Sequence, residues 1–207
     1  MSRSLKCIPG AAYKHCACGP KLAGRKKGMV VQMKTLKCYI FIGIIFVLTV
    51  GSLSHFVYQW TGNNYIAGFF SPVSESVWEH MKLLYFPMLF YSAIMALKLR
   101  KNYPCIIPSL CFGLLAGTAL IPVLFYTYTS ILGKNTLLLD IGVFALSTVL
   151  AFYSVYRFTL SCRLNPYAYY LYVFTGILFL CFLFFTYHSP DTGIFSIPHP
   201  DSSSISS

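Results

Sequence analysis

Four side chains that can bind protons or metal ions cluster at Glu75, Ser76, Glu79 and His80. Residues four apart share one face of a helix, so Glu75 is predicted to lie over Glu79 and Ser76 over His80. Two carboxylates on one face can bind a cation. The alternative needs no ligand, because the helix dipole favours glutamates near a helix start and Glu79 can pair with Lys82.

Asp140 is a second residue whose setting suggests chemistry, because leucines and an isoleucine flank it. A charged side chain near the centre of a membrane span costs about 2.5–3.5 kcal/mol, so such a residue is a functional candidate by default. The alternative is a structural partner, either Lys134 or one of the tyrosines Tyr126 and Tyr128.

Three histidines, His55, His80 and His188, lie near the ends of apolar runs. An aromatic-like ring anchors well at a membrane interface, which is the interpretation without chemistry. The functional interpretation groups the histidines with the acids in one outward-facing polar pocket. We predict that this pocket comprises His55, Glu75, Ser76, Glu79, His80, Lys82, Asp140 and His188.

Zinc is the cofactor that fits such a pocket, because it favours imidazole and carboxylate ligands and can activate water at an open fourth position. The predicted ligands are His80, His188, Asp140 and Glu79. The pair Ser76 and His80 resembles the S-x-x-x-H element of the intramembrane metal hydrolases that include alkaline ceramidases. Those proteins have seven spans and an H-x-x-x-H pair in the last one, and His188 has no such partner.

The elements that must position these residues are membrane helices. Of the 207 residues, 57% are hydrophobic and 10% are charged, whereas soluble domains carry about 25% charged residues. A soluble fold of this size cannot bury that much apolar surface. Helices satisfy every backbone hydrogen bond inside lipid, and about 20 apolar residues cross the bilayer.

Five apolar runs are long enough to cross. We therefore predict an all-α membrane protein with spans at about 38–60, 80–99, 105–127, 136–157 and 167–187. The second span is expected to begin outside the hydrocarbon as one long helix, with Ser71 as its N-cap and Pro72 as its first residue. Gly113 and Gly117 form a G-x-x-x-G pair, which allows close helix approach within one chain or between two copies.

The two ends of the chain differ from the membrane domain, which we place at residues 33–188. Residues 1–32 are basic, and we interpret them as a disordered tail or as the product of an upstream start codon, since Met29 and Met33 precede the first span. Residues 189–207 are rich in proline and serine and are expected to form a flexible tail.

The basic residues predict the orientation. Fourteen of the sixteen lie before the first span or at the turns after the second and fourth spans, and two lie at the other ends, Lys82 and Lys134. The positive-inside rule then places the N-terminus in the cytoplasm and the C-terminus outside. The net charge of +11 is thereby explained without nucleic acid. We predict a multi-pass protein of the cell membrane whose main partner is the lipid bilayer.

The eight cysteines do not suggest a disulfide framework. None lies in the predicted outer segments 61–79, 128–136 and 188–207. Disulfides persist on the oxidising side of a membrane, so we predict none.

One long stretch resembles a known family. It begins at Ser54-His55-Phe56, continues through Phe70-Ser71-Pro72 into the element E-S-x-W-E-H at residues 75–80, and ends near Tyr187-His188. These residues are similar to small bacterial membrane proteins catalogued as domain of unknown function 6512. The resemblance covers about residues 33–199 and implies a bacterial plasma membrane. It implies no activity.

Two functions of different class remain open. The first is a non-enzymatic role, transport-like or accessory, and the second is a membrane-embedded metal-dependent hydrolase acting at the outer surface. A hydrolase requires its metal ligands to converge on one ion. A carrier requires polar residues at mid-membrane and discontinuous helices.

The predicted orientation can be tested with a Ser203→Cys variant. An impermeant maleimide should label this cysteine in intact cells, because the C-terminus is expected outside. Mass spectrometry of the labelled peptide separates it from the native cysteines. Labelling that appears only after permeabilisation would reverse the orientation.

Overall fold

The computed structural model describes the backbone of residues 22–188, 190 and 193–195, and the side chains from residue 33 onward within those ranges. The chain divides into two compact units, residues 1–35 and 36–207. Of the first unit only helical backbone from Leu22 is described, so most of the predicted tail at residues 1–32 lies outside the described residues. All further contacts belong to the second unit.

Six α-helices make up the described chain, which contains no strand. Short 3₁₀ turns at Asn165–Tyr167 and Gly193–Phe195 accompany them. The helices are α1 Leu22–Trp60, α2 Tyr65–Phe70, α3 Val77–Leu99, α4 Ile106–Leu132, α5 Leu137–Ser161 and α6 Ala168–Phe185.

Five of these helices are long and apolar enough to cross a membrane. The candidate spans are Met33–Trp60, Val77–Leu99, Ile106–Leu132, Leu137–Ser161 and Asn165–Phe185. They confirm the predicted all-helical architecture and the number of spans. Many large apolar side chains on their outer faces are exposed, as expected for helices that contact lipid.

The predicted start of the helix that forms the second span, at Ser71-Pro72, is wrong. The structure ends α2 at Phe70 and begins α3 at Val77, with Ser76 rather than Ser71 as the N-cap. The Ser76 hydroxyl accepts a hydrogen bond from the Glu79 N–H at 3.3 Å, as in a Ser-x-x-Glu capping box. The Glu79 carboxylate accepts from the Val73 N–H at 2.9 Å, so the preceding segment folds back instead of continuing the helix.

The core lies along α3 and α4. Their buried side chains include Leu84, Met88 and Met95 from α3 and Leu114 from α4. Helix α4 packs against α3, α5 and α6, whereas most of α6 is exposed. The described 3₁₀ turn at Gly193–Phe195 packs back on α3, so part of the segment expected to form a flexible tail contacts the bundle.

Two glycines allow α4 and α5 to approach closely within the chain. A Cβ placed on Gly113 would lie 2.8 Å from the Ala151 carbonyl oxygen, and one on Gly117 would lie 2.6 Å from the Ala151 Cβ. Gly133, in the left-handed conformation at φ 67°, ends α4 and begins the turn between the two helices. Gly113 and Gly117 therefore belong to an intrachain helix pair, α4 with α5, in the structure.

The prediction that no disulfide forms is also wrong. Cys105 and Cys162 are bonded, with their Cα atoms 5.3 Å apart. Cys105 directly precedes α4 and Cys162 directly follows α5, so the antiparallel pair brings the two residues side by side. The compartment of a cysteine alone does not show which helix ends become neighbours.

The close α4–α5 contact should be sensitive to one added methyl group. We expect Gly113→Ala to destabilise the protein by about 1–3 kcal/mol, because the backbone of α5 would have to move. Gly142→Ala is the control, since nothing lies within 4 Å of its Cβ position. Thermal unfolding in detergent should show a lower Tm for Gly113→Ala only. Equal Tm values would contradict the close contact.

Candidate functional site

His55, Glu75 and His80 converge at one end of the bundle. His55 lies near the C-terminal end of α1, Glu75 in the segment between α2 and α3, and His80 in the first turns of α3. One Glu75 carboxylate oxygen, Oε2, lies 3.6 Å from His55 Nε2 and 3.5 Å from His80 Nε2. The two imidazole rings are 5.4 Å apart between centroids. We call these three residues the His–Glu cluster.

The geometry of the His–Glu cluster suits a metal ion. Its ligand atoms all lie within 4.8 Å of one another, and within the described residues no other set of three or more His, Cys, Asp or Glu side chains does so. Two ligands held at about 2.0–2.2 Å from a tetrahedral zinc are about 3.3–3.6 Å apart. The two Glu75–histidine distances fall in that range.

The backbone of α3 orients His80. Its Nδ1 lies 2.9 Å from the Ser76 carbonyl oxygen, which can only accept a hydrogen bond. The neutral ring therefore carries its proton on Nδ1 and presents the Nε2 lone pair to the cluster. Histidine ligands in metal sites are commonly oriented through their second nitrogen in this way.

The His–Glu cluster is accessible to ligands from solvent. The Glu75 side chain is 64% exposed, and those of His55 and His80 are each 30% exposed. Three protein ligands leave at least one coordination position for water or a substrate atom.

Glu79 and Lys82, which the sequence placed in the same pocket, form a separate buried pair. The Lys82 ammonium lies 2.8 Å from Glu79 Oε2, and the Lys82 side chain has no exposed surface. Lys82 also donates to the Thr186 hydroxyl at 2.7 Å and to the Gly68 carbonyl at 3.3 Å. The charges of Glu79 and Lys82 therefore compensate each other inside the protein, as a buried ion pair requires.

The remaining two candidates lie apart from the His–Glu cluster. Asp140, in the first turn of α5, accepts a hydrogen bond from the Tyr128 hydroxyl of α4. This is one of the structural partners that the sequence offered. His188 is exposed and stacks on Phe184, one turn earlier. The predicted ligands Asp140, His188 and Glu79 are therefore not gathered around His80 with His55 and Glu75.

Sequence reasoning missed two polar groups of the buried network, the Thr186 hydroxyl and the Gly68 carbonyl. It also missed Tyr187, which donates to the Tyr65 carbonyl at 2.8 Å and stacks on the Tyr65 ring. Burial raises the pKa of the Tyr187 phenol. Lys82 and Thr186, like Tyr187 and Tyr65, are more than a hundred positions apart, and the Gly68 contact uses a backbone carbonyl, so no residue spacing predicts these contacts.

Five candidate spans around an apolar core define a multi-pass α-helical membrane protein with a polar cluster at one end. The chain belongs to the Family of unknown function (DUF6512), whose model matches residues 29–199. The resemblance carried by the E-S-x-W-E-H element is thereby confirmed. No curated protein matches the chain, and no solved structure does.

The buried pair should depend on both charges. Lys82→Met leaves Glu79 without its cation, and breaking a buried pair in this way costs about 3–5 kcal/mol. The double variant Glu79→Gln with Lys82→Met should recover part of that loss. Lys98→Met, at the exposed end of α3, is the control.

Thermal unfolding in detergent measures these differences. We expect a large drop in Tm for Lys82→Met, a smaller drop for the double variant and little change for Lys98→Met. A double variant less stable than Lys82→Met would show that the two charges do not compensate each other.

Proposed function

We propose that the protein binds a zinc ion through His55, Glu75 and His80 and serves a non-enzymatic function, transport-like or accessory, in a bacterial plasma membrane. The observation that carries this proposal is the position of one Glu75 oxygen within 3.5–3.6 Å of both histidine Nε2 atoms. Imidazole and carboxylate are ligands that zinc prefers. The fixed Nδ1–H tautomer of His80 adds to the fit.

The proposed membrane orientation puts the His–Glu cluster outside. Its support is the distribution of basic residues, since Lys98, Arg100, Lys101, Arg157 and Arg163 all lie at the other ends of the spans. The Cys105–Cys162 disulfide lies at that same basic end and favours the reverse orientation, because disulfides persist in oxidising compartments. The positive-inside rule supports the proposed orientation, because from residue 33 onward seven basic residues lie on that side and only Lys82 and Lys134 on the other.

A membrane-embedded metal-dependent hydrolase is the second candidate. The open coordination positions of a three-ligand zinc site favour it, because a zinc-bound water can act as a nucleophile. Hydrolysis also needs a general acid or base. Glu79 is bonded to Lys82 and Asp140 to Tyr128, and Glu75 would itself be a ligand. We therefore rank metal binding without catalysis first.

The zinc proposal predicts about one zinc ion per chain in protein purified without chelators, measured by elemental analysis. His55→Ala, Glu75→Gln and His80→Ala should each weaken zinc binding by about tenfold or more, because each removes one of three ligands. A competition titration with a zinc-binding dye measures the affinity.

Matched controls come from the zinc ligands predicted from the sequence that lie outside the His–Glu cluster. His188→Ala and Asp140→Asn should leave the zinc content and affinity unchanged. Zinc lost in these two variants and retained in His55→Ala would favour that other set. Protein that holds no zinc at micromolar concentrations of the metal would overturn the proposal.

A further inference from the structure

An apolar groove lies beside the His–Glu cluster. It has a volume of 610 Å³ and is lined by Phe46, Val50 and Ser54 of α1 and by Phe86, Phe90 and Ala93 of α3. Phe70 of α2 and Phe179 of α6 also line it. The volume falls within the range of about 300–1,000 Å³ typical of ligand sites.

The groove and the cluster lie at successive depths of the same two helices. Ser54 lines the groove and His55 follows it directly. On α3, Phe86 lies six residues beyond His80, which is about 9 Å along the helix axis. Because both candidate spans end near the cluster, at Trp60 and Val77, we expect the cluster at headgroup depth and the groove in the hydrocarbon.

A ligand that occupies both places must have an anionic or polar head and an apolar tail. We propose that the groove and the His–Glu cluster form one binding site for a phospholipid with a terminal phosphate. The phosphate binds the zinc, and the acyl chain lies in the groove. The inference rests on the proposed zinc site, because the bound cation supplies the charge that complements the phosphate. Each buried CH₂ of the chain then adds favourable transfer free energy.

The test uses full-length protein in detergent, loaded with zinc or stripped of it, and dioctanoyl phosphatidic acid as the probe. Native mass spectrometry measures the bound lipid, and elemental analysis measures zinc separately. We expect lipid binding to be at least about tenfold tighter with zinc. Dioctanoylglycerol, which lacks the phosphate, should bind weakly, and equimolar inorganic phosphate should not displace the lipid.

Ala93→Trp should fill the groove and weaken lipid binding by about tenfold while the zinc content stays unchanged. Leu97→Trp, one turn further on α3 at an exposed position outside the groove, is the matched control and should bind lipid normally.

Lipid affinity that is unchanged by removal of zinc or by Ala93→Trp would overturn the proposed lipid site but not the proposed zinc site. Equal competition by inorganic phosphate would make a free anion the ligand instead. Protein without zinc would overturn the proposed function itself, and the lipid site with it.

Discussion

A lysine side chain with no exposed surface, Lys82, holds the polar end of this protein together. Its ammonium group bonds Glu79 on its own helix, the Gly68 carbonyl at the end of α2 and the Thr186 hydroxyl after α6. Glu79 in turn accepts from the Val73 N–H. One ion pair therefore connects α2 and α3 to the distant segment that follows α6.

The His–Glu cluster depends on that buried pair. Glu75 belongs to the short segment between Val73, which bonds Glu79, and Ser76, which caps α3. Its backbone is thus fixed on both sides although its carboxylate is exposed. His80 is oriented by the same Ser76 through its carbonyl oxygen. The acids of the E-S-x-W-E-H element consequently divide, with Glu79 turned inward as structure and Glu75 outward toward the histidines.

Hydrophobic runs and composition predicted the five spans, because a helix in lipid must be apolar along its whole length. The i, i+3 pairing of Glu79 with Lys82 and the bond from Tyr128 to Asp140 were each available as local alternatives. Helix starts were less predictable. Ser71-Pro72 and Ser76 both carry N-terminal signals, and only the return of the Glu79 carboxylate to Val73 decides between them.

The site was predictable as a set of residues and not as an arrangement. His55, Glu75 and His80 all stood in the predicted pocket, and so did five residues that the structure places elsewhere or in supporting roles. Which histidine meets which acid depends on how α1 and α3 rotate about their axes, and a nearly uniform apolar pattern does not reveal that rotation to inspection. The pairing of Cys105 with Cys162 depends instead on which helix ends become neighbours in the bundle.

The bond between Cys105 and Cys162 closes a covalent ring over a sequence separation of 57 residues. The ring contains α4, the turn at Gly133 and all of α5. Tension applied to the two chain ends would therefore bypass this hairpin, and the extensible length would be only the chain outside the ring. Reduction of a single bond would return those residues to the extensible chain, which makes the mechanical length of the protein a function of redox state.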